Sequence, residues 1–336
     1  MDRSGELLGL INANWTTQVV RAACVLDIPG RLAEGAMGVE QLAGATGCHA
    51  PSVHRLLRAM ATLDLCAETD AGQYALTSMG RLLCEDDPGS LRAWALLVGG
   101  PHWARWGELH ESVRTGLSHK QRHLGEVGFG DLDADPATAA LFHGAMVQMT
   151  RRVADAIVAA LPLDGADCIV DVGGGQGELI ARVLQSRAQL RGILFDLPTG
   201  VVGAQDALRR AGVDDRCKVV GGDFFHRVPA GGDIYLLKSV LHNWNDERAT
   251  QILANCREAM RPGGAVIAVE RVMPSRPGTC GKDRVVVRSD LNMLVALTGR
   301  ERTRDEFDAL YAGAGIGGTR FLPTHGDFAL VAGVVD

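Results

Sequence analysis

From residue 168 onward, short apolar runs alternate with amphipathic ones, and this alternation narrows the possible folds more than any other feature of the chain. CIVDV, GILFDL, CKVVGGDFF, DIYLLKSV, AVIAVERV and FALVAGVV have the length and composition of strands, and the intervals between the first five carry helix-like patterns. Strands separated by helices neighbour one another through crossovers, so the expected product is an α/β layer, a mostly parallel sheet with helices on both faces. Ligands of such sheets bind outside the carboxyl ends of the strands, where strand order reverses.

The first of those ends is IVDVGGGQGELIARVL, a strand, a glycine loop and a helix. The dinucleotide pattern G-x-G-x-x-G fails in both registers: counted from Gly173 its third glycine falls on Glu178, and from Gly175 on Ile180. A G-K-[ST] phosphate loop is also missing, so the loop suits a cofactor that presents an amino acid moiety to the backbone. The second strand ends in FDLP, where Asp196 is placed to accept both hydroxyls of a ribose. The third ends in GGDFF, where Asp223 and the Phe224 ring suit an adenine. At three successive strand ends these residues describe a nucleoside site.

The N-terminal part has a different texture. Between Leu7 and about Leu83 the pattern is helical, and VEQLAGATGCHAPSVHRLLRAMATLDLCAETDAGQYALTSMGRLL contains a helix, a glycine turn, a second helix from Ala50-Pro51 and a hairpin turned at Thr69 to Gly72. Helix-turn-helix followed by a hairpin is a winged-helix pattern. The second helix carries Arg55 and Arg58 but no basic stripe, and Asp64, Glu68 and Asp70 follow, so packing or dimerisation is expected in place of DNA binding. The net charge of -6 agrees, because it offers no pull toward nucleic acid or anionic membranes. No apolar run approaches the roughly 20 residues of a membrane span. The 8 cysteines form no C-x-x-C pair, and the N-terminus has no basic segment leading into a long apolar one, which points to the reducing cytoplasm. HKQRH, from His119 to His123, has the i, i+4 spacing of a metal pair, but no third ligand is evident in that polar stretch, and no metal is expected.

Taken in order, DVGGGQGELI, FDLP, GGDFF, LLKSVLHNWNDE, MRPGG, VER and LNMLVALTGRERT resemble the S-adenosylmethionine-dependent O-methyltransferases of the caffeic acid and bacterial natural-product type, whose members act on hydroxyneurosporene, polyketides and phenazines. The motifs run from about Phe142 to Thr303, and the N-terminal module resembles that family's dimerisation domain. The resemblance implies a winged-helix dimerisation domain over 1–100, linking helices that contribute to the acceptor pocket over 101–150, and a Rossmann-like methyltransferase domain over 151–336. It implies a homodimer, S-adenosylmethionine as methyl donor with S-adenosylhomocysteine as product, and cofactor contacts from Gly173, Asp196, Leu197, Asp223, Phe224 and Lys238.

DIYLLKSVLHNWNDER then places a histidine just beyond the fourth strand, beside the expected cofactor. In-line transfer of a methyl group to oxygen requires the hydroxyl proton to leave, and an imidazole with an ordinary pKa near 6.5 accepts it at neutral pH. His242 is the candidate base, and the resemblance adds Glu270 and Glu301 as flanking carboxylates. Trp244 and Asp246 are expected to fix the turn and cap the next helix. Two departures from the plant-type pattern stand out: Asn243 replaces the aspartate that often follows the histidine, and LNMLVALTGRERT is about one residue shorter. Phe142 and Met146 lie one helical turn apart with Met149 three further on, a single face. Positions matching the first two line the acceptor pocket in the resembling family, and Met149, Trp103, Trp106 and Met293 are further candidates. Such a pocket favours a flat aromatic ring bearing a hydroxyl. The alternatives are N- or C-methylation, hydroxylation or decarboxylation with the cofactor as a structural element, and a ligand-sensing winged-helix regulator.

Overall fold

The computed structural model describes residues 2–125, 128–130 and 135–334. The chain divides into two compact units, Met1–Ala104 with Ala137–Met149, and Arg105–Pro136 with Thr150–Asp336. The stretch 101–150 is therefore shared between them.

The first unit opens with helix Arg3–Val25, capped by the Asp2 carboxylate, which accepts from the Ser4 N–H at 3.0 Å. Helices Ile28–Ala33, Val39–Thr46 and Ala50–Thr62 follow, then strands β1 (Cys66–Glu68) and β2 (Tyr74–Leu76), which pair antiparallel. Gly47, at φ 66°, takes the left-handed conformation that lets Val39–Thr46 stop and the next helix begin. In Ala50–Thr62 the spacing of Val53, Leu57 and Met60 puts all three on one buried face, packed with Leu42, Leu65 and Tyr74. The apolar residues of helix Arg3–Val25 divide along its length. Val19 and Val20 are half-buried and Ala23 and Cys24 buried, whereas Leu7, Leu8, Leu10, Ile11 and Trp15 are exposed.

The second unit is built on a seven-stranded sheet of β3 (Cys168–Val172), β4 (Arg191–Asp196), β5 (Cys217–Gly221), β6 (Ile234–Lys238), β7 (Ala265–Glu270), β8 (Gly317–Pro323) and β9 (Ala329–Val334). Their order is β5-β4-β3-β6-β7-β9-β8, with β3 to β7 parallel and β9 antiparallel to both β7 and β8. The chain runs outward from β3 to β5 and then crosses back to β6 on the other side of β3, so the order reverses between β3 and β6. β8 is absent from the strands read in the sequence because it starts Gly-Gly, ends at a proline and lies at the sheet edge.

Alternation along the strands builds two cores. Ile169, Ile234, Leu236, Ile267 and Val269 face one side with Ile157 and the helix Glu178–Ser186 residues Leu179, Ile180 and Val183. Their neighbours Val170, Tyr235, Leu237, Val266 and Ala268 face the other, with Ile252 and Leu253 of helix Asp246–Ala259 and Phe307 and Leu310 of helix Arg304–Gly313. Burial on both faces explains why β3, β6 and β7 read as nearly unbroken apolar runs. Each such side chain contributes about 1.5–3 kcal/mol relative to exposure, and the result is a rigid platform whose β3 and β6 ends carry the site.

Candidate active site

The loop after β3 turns through three left-handed glycines, Gly173, Gly175 and Gly177, at φ 73°, 57° and 83°. A Cβ at Gly173 would lie 2.7 Å from Val240 Cγ2, and one at Gly174 2.5 Å from Asp171 Oδ2, so these two positions also require the absence of a side chain. Asp196, at the end of β4, closes the loop from the side. Its Oδ2 accepts from the Gly175 N–H and its Oδ1 from the Leu197 N–H, both at 2.7 Å. Beneath the loop Asp171 is buried with Oδ2 unpartnered among the described residues, and burial together with the nearby Asp196 charge pushes its pKa up to about 7.

Asp223 follows β5, and its Oδ1 accepts from the Phe225 N–H at 2.8 Å. The Phe224 ring sits 6.0 Å from Trp244 in an edge-on arrangement and beside Gly173. Phe225 meets the same indole at 4.7 Å, so an aromatic cluster joins the end of β5 to the turn after β6. Lys238, the last residue of β6, donates to Thr150 Oγ1 at 3.2 Å, and burial followed by the Arg271 charge lowers its pKa to about 8.

Ser239, at φ 55°, bends the chain sharply out of β6. That bend aims three successive N–H groups, from Val240, Leu241 and His242, at the single oxygen Oε1 of Glu270, at 3.1, 2.9 and 3.3 Å. His242 lies in a short 3₁₀ turn, Leu241–Asn243, with Nδ1 3.0 Å from Glu301 Oε1 and 3.7 Å from Glu270 Oε2. The two glutamates therefore differ: Glu270 fastens the backbone of the turn, and Glu301 orients the ring. Nε2 makes no hydrogen bond among the described residues. Burial pulls the imidazole down, but the Glu270 and Glu301 charges and the Glu301 hydrogen bond outweigh it, and the His242 pKa is raised above its ordinary value. Burial pushes Glu270 up. Burial acts on Glu301 in the same direction, yet the His242 charge and hydrogen bond and the Ser289 hydroxyl outweigh it and hold that carboxyl below the usual range.

Several residues of this turn escaped the sequence reading. Ser289 Oγ donates to Glu301 Oε1, fixing the acceptor of the imidazole proton. Arg302 is fully buried and spans the turn, with Nη1 on Leu241 O at 2.9 Å, Nη2 on Trp244 O at 2.7 Å and Nε on Asp246 Oδ1 at 2.9 Å. A Cβ at Gly299 would fall 2.0 Å from His242 O, so this approach is possible only for glycine. The helix cap is Asn245, whose side chain accepts from the Arg248 N–H at 3.0 Å; Asp246, expected in that role, pairs instead with Arg300 and Arg302. Asn243 donates to Ser239 O at 3.1 Å and so serves the bend.

The acceptor candidates fall in both units. Phe142, Met146 and Met149 are half-buried and Trp103 is exposed in the first; Met293 is buried in the second with Ala296 and Leu297, and Trp106 Nε1 donates to Asn292 there at 3.0 Å. A depression of about 440 Å³ lined by Arg55, Arg58, Glu68 and Tyr74 belongs to the first unit and contains none of the site residues named above.

Residues 106–317 match the family model of the O-methyltransferase domain, and residues 8–86 that of the O-methyltransferase dimerisation domain. The chain is 37% identical to the phenazine O-methyltransferase PhzM of Lysobacter antibioticus, over 98% of this chain and 95% of that one. It is 35% identical to the 8-amino-8-demethylriboflavin N,N-dimethyltransferase of Streptomyces davaonensis, over 88% and 85%. Among solved structures, LaPhzM superposes with a TM-score of 0.95 at 36% identity, covering all of both chains. Human N-acetylserotonin methyltransferase in complex with S-adenosylmethionine superposes at 0.89 and 25% identity, covering 99% and 98%. On these matches, and on a glycine loop and histidine turn at the β3 and β6 ends of a parallel sheet, the chain belongs to the S-adenosylmethionine-dependent O-methyltransferase family.

Proposed function

We propose that the protein methylates a hydroxyl group of an aromatic small molecule, with His242 as the general base. The observation that carries the reading is the buried imidazole whose Nδ1 is held by Glu301 at 3.0 Å and whose Nε2 has no hydrogen-bond partner among the described residues. Glu301 selects the tautomer with hydrogen on Nδ1, which leaves the Nε2 lone pair to take the hydroxyl proton. As the ring becomes an imidazolium, the Glu301 charge stabilises it.

The residues around the glycine loop fit S-adenosylmethionine. A Cβ at Gly175 would meet nothing nearer than Asp196 Oδ2 at 4.0 Å, so the loop's outer side is open beside a half-buried carboxylate and the Phe224 ring. In this reading Gly173 and its neighbours present backbone groups to the amino acid portion, Asp196 takes the ribose with Leu197 beside it, and Asp223 and Phe224 take the adenine. Lys238 holds the β6 end of the site. When bound, the cofactor supplies an electrophilic sulfonium methyl. Val240 packs against Gly173 two residues before His242, which keeps the base near that loop. Phe142, Met146, Met149 and Trp103 of the first unit and Met293 of the second remain the candidate acceptor contacts read from the sequence.

The dimerisation-domain match and the exposed Leu7, Leu8, Leu10, Ile11 and Trp15 support a homodimer. All 8 cysteines are free, which suits the cytoplasm. A second reading, transfer to an aromatic amine, is favoured by the N,N-dimethyltransferase relative. An amine attacks with its own lone pair, so the Glu301-oriented base argues for oxygen. The test is incubation with methyl-labelled S-adenosylmethionine and matched hydroxy- and amino-phenazines, phenols and aromatic polyketides, read by mass spectrometry. The O-methyl product is expected from wild type and lost in His242→Ala with cofactor affinity unchanged; N-methyl product insensitive to that variant would establish the second reading.

A further inference from the structure

A third candidate donor does lie beside the His119/His123 pair. Glu108 precedes helix Leu109–Thr115, and the chain returns to it through helix His119–Leu124, so the sequence separates it from the histidines by a whole helix. His123 Nε2 lies 2.8 Å from Glu108 Oε2, and His119 Nε2 lies 3.7 Å from Glu108 Oε1. One donor atom from each of the three falls within 4.8 Å of the others. Donors bound to a tetrahedral zinc at about 2.1 Å stand about 3.4 Å apart, and the two observed separations bracket that value. The imidazole rings lie with centroids 4.3 Å apart and their planes tilted by 38°, each with Nε2 toward the carboxylate.

The scaffold holds these groups before any ligand arrives. A capping box between Ser118 and Gln121 fixes the start of the histidine helix. Arg122, from the same helix, donates to Glu108 Oε2 at 2.9 Å, to Ser112 Oγ at 2.7 Å and to Leu117 O at 2.8 Å. Hydrogen bonds from His123 and then Arg122 hold the Glu108 carboxyl down at about 2, so it stays ionised. Burial lowers the His119 pKa, despite the Glu108 charge. Arg122 competes for Oε2, which directs a cation toward Oε1 and the two Nε2 atoms. Side-chain exposures of 24%, 36% and 50% for His119, Glu108 and His123 leave one side open to water.

We propose that Glu108, His119 and His123 form a binding site for a divalent transition metal, zinc being the best match, with two imidazoles, one carboxylate and an open position. The cluster shares no residue with the His242 site and is independent of the reaction assigned there.

Protein free of any affinity tag, dialysed against a chelator, is titrated with zinc chloride by calorimetry at pH 7.5. One zinc per chain is expected, with affinity falling at least tenfold in His119→Ala, in His123→Ala and in Glu108→Gln, and unchanged in His242→Ala. Circular dichroism checks the fold of each variant, and His123→Asn, which keeps a polar side chain there, should bind as weakly as His123→Ala. No stoichiometric uptake by wild type, equal affinity in folded His119 and His123 variants, or uptake lost only in His242→Ala would overturn the proposal.

Discussion

The second unit contains two groups of nearly the same composition, His242 with Glu270 and Glu301, and His119 and His123 with Glu108. The first is buried and the second is half open. Burial removes water as a competitor, so each polar contact around His242 fixes one atom for one purpose: three N–H groups on Glu270 Oε1, and the ring on Glu301 Oε1. At Glu108 the carboxylate is shared by Arg122, His123 and His119, and solvent has access. In the proposed readings the same residue types serve a proton in one place and a cation in the other. The difference lies in burial, which leaves Glu270 Oε2 and Glu301 Oε2 without a hydrogen-bond partner among the described residues while Glu108 stays open to solvent.

The largest effect that would break this contrast is expected from His242→Ala, which should lower kcat by roughly 10² to 10⁴ while calorimetry finds the same S-adenosylmethionine affinity; a small loss would place the proton transfer elsewhere. Glu301→Gln should follow, since the amide retains the shape but not the charge. Its signature is in the pH profile. In wild type the acid limb of kcat/KM rises with pH as the imidazolium deprotonates, at a pH above the ordinary imidazole value because that pKa is raised. Removing the Glu301 charge destabilises the imidazolium, so the limb should move to lower pH while kcat falls. A limb that stays in place would show that Glu301 acts only through packing.

Glu270→Gln sharpens the comparison from the other side. It weakens three backbone hydrogen bonds in a dry environment, and a stability loss of about 1–3 kcal/mol is expected by denaturant titration, with a smaller change in the pH profile than Glu301→Gln produces. The reverse ranking would exchange the roles of the two glutamates. The smallest effect is expected from His123→Ala, which should leave kcat and KM unchanged in steady-state assays; a loss comparable to that at His242 would join the two clusters into one functional unit.

The sheet was legible because β3, β6 and β7 are buried on both faces and show as continuous apolar runs, while β8, at the edge and bounded by glycine and proline, gave no such signal. The glycine loop and His242 were legible because each follows directly on a strand. Arg302 and Ser289 were not, because their partners lie far off in sequence: an arginine in GRERT looks solvated until carbonyls at positions 241 and 244 are folded onto it. Glu108 was hidden beside the histidine pair for the same reason, eleven positions before His119 with helix Leu109–Thr115 between them. Asn245 followed the usual preference for a cap and was passed over only because Asp246 stood beside it.

The placement of β9 between β7 and β8 bears on the order in which the molecule becomes competent. β7, which ends in Glu270, gains its second neighbour only when residues 329–334 have been made, and His242 meets Glu301 across 59 positions of chain. The glycine loop and its Asp196 partner are only 21 positions apart and complete much earlier. The glycine loop therefore rests on contacts local in sequence, whereas the surroundings of His242 rest on contacts between residues far apart in the chain.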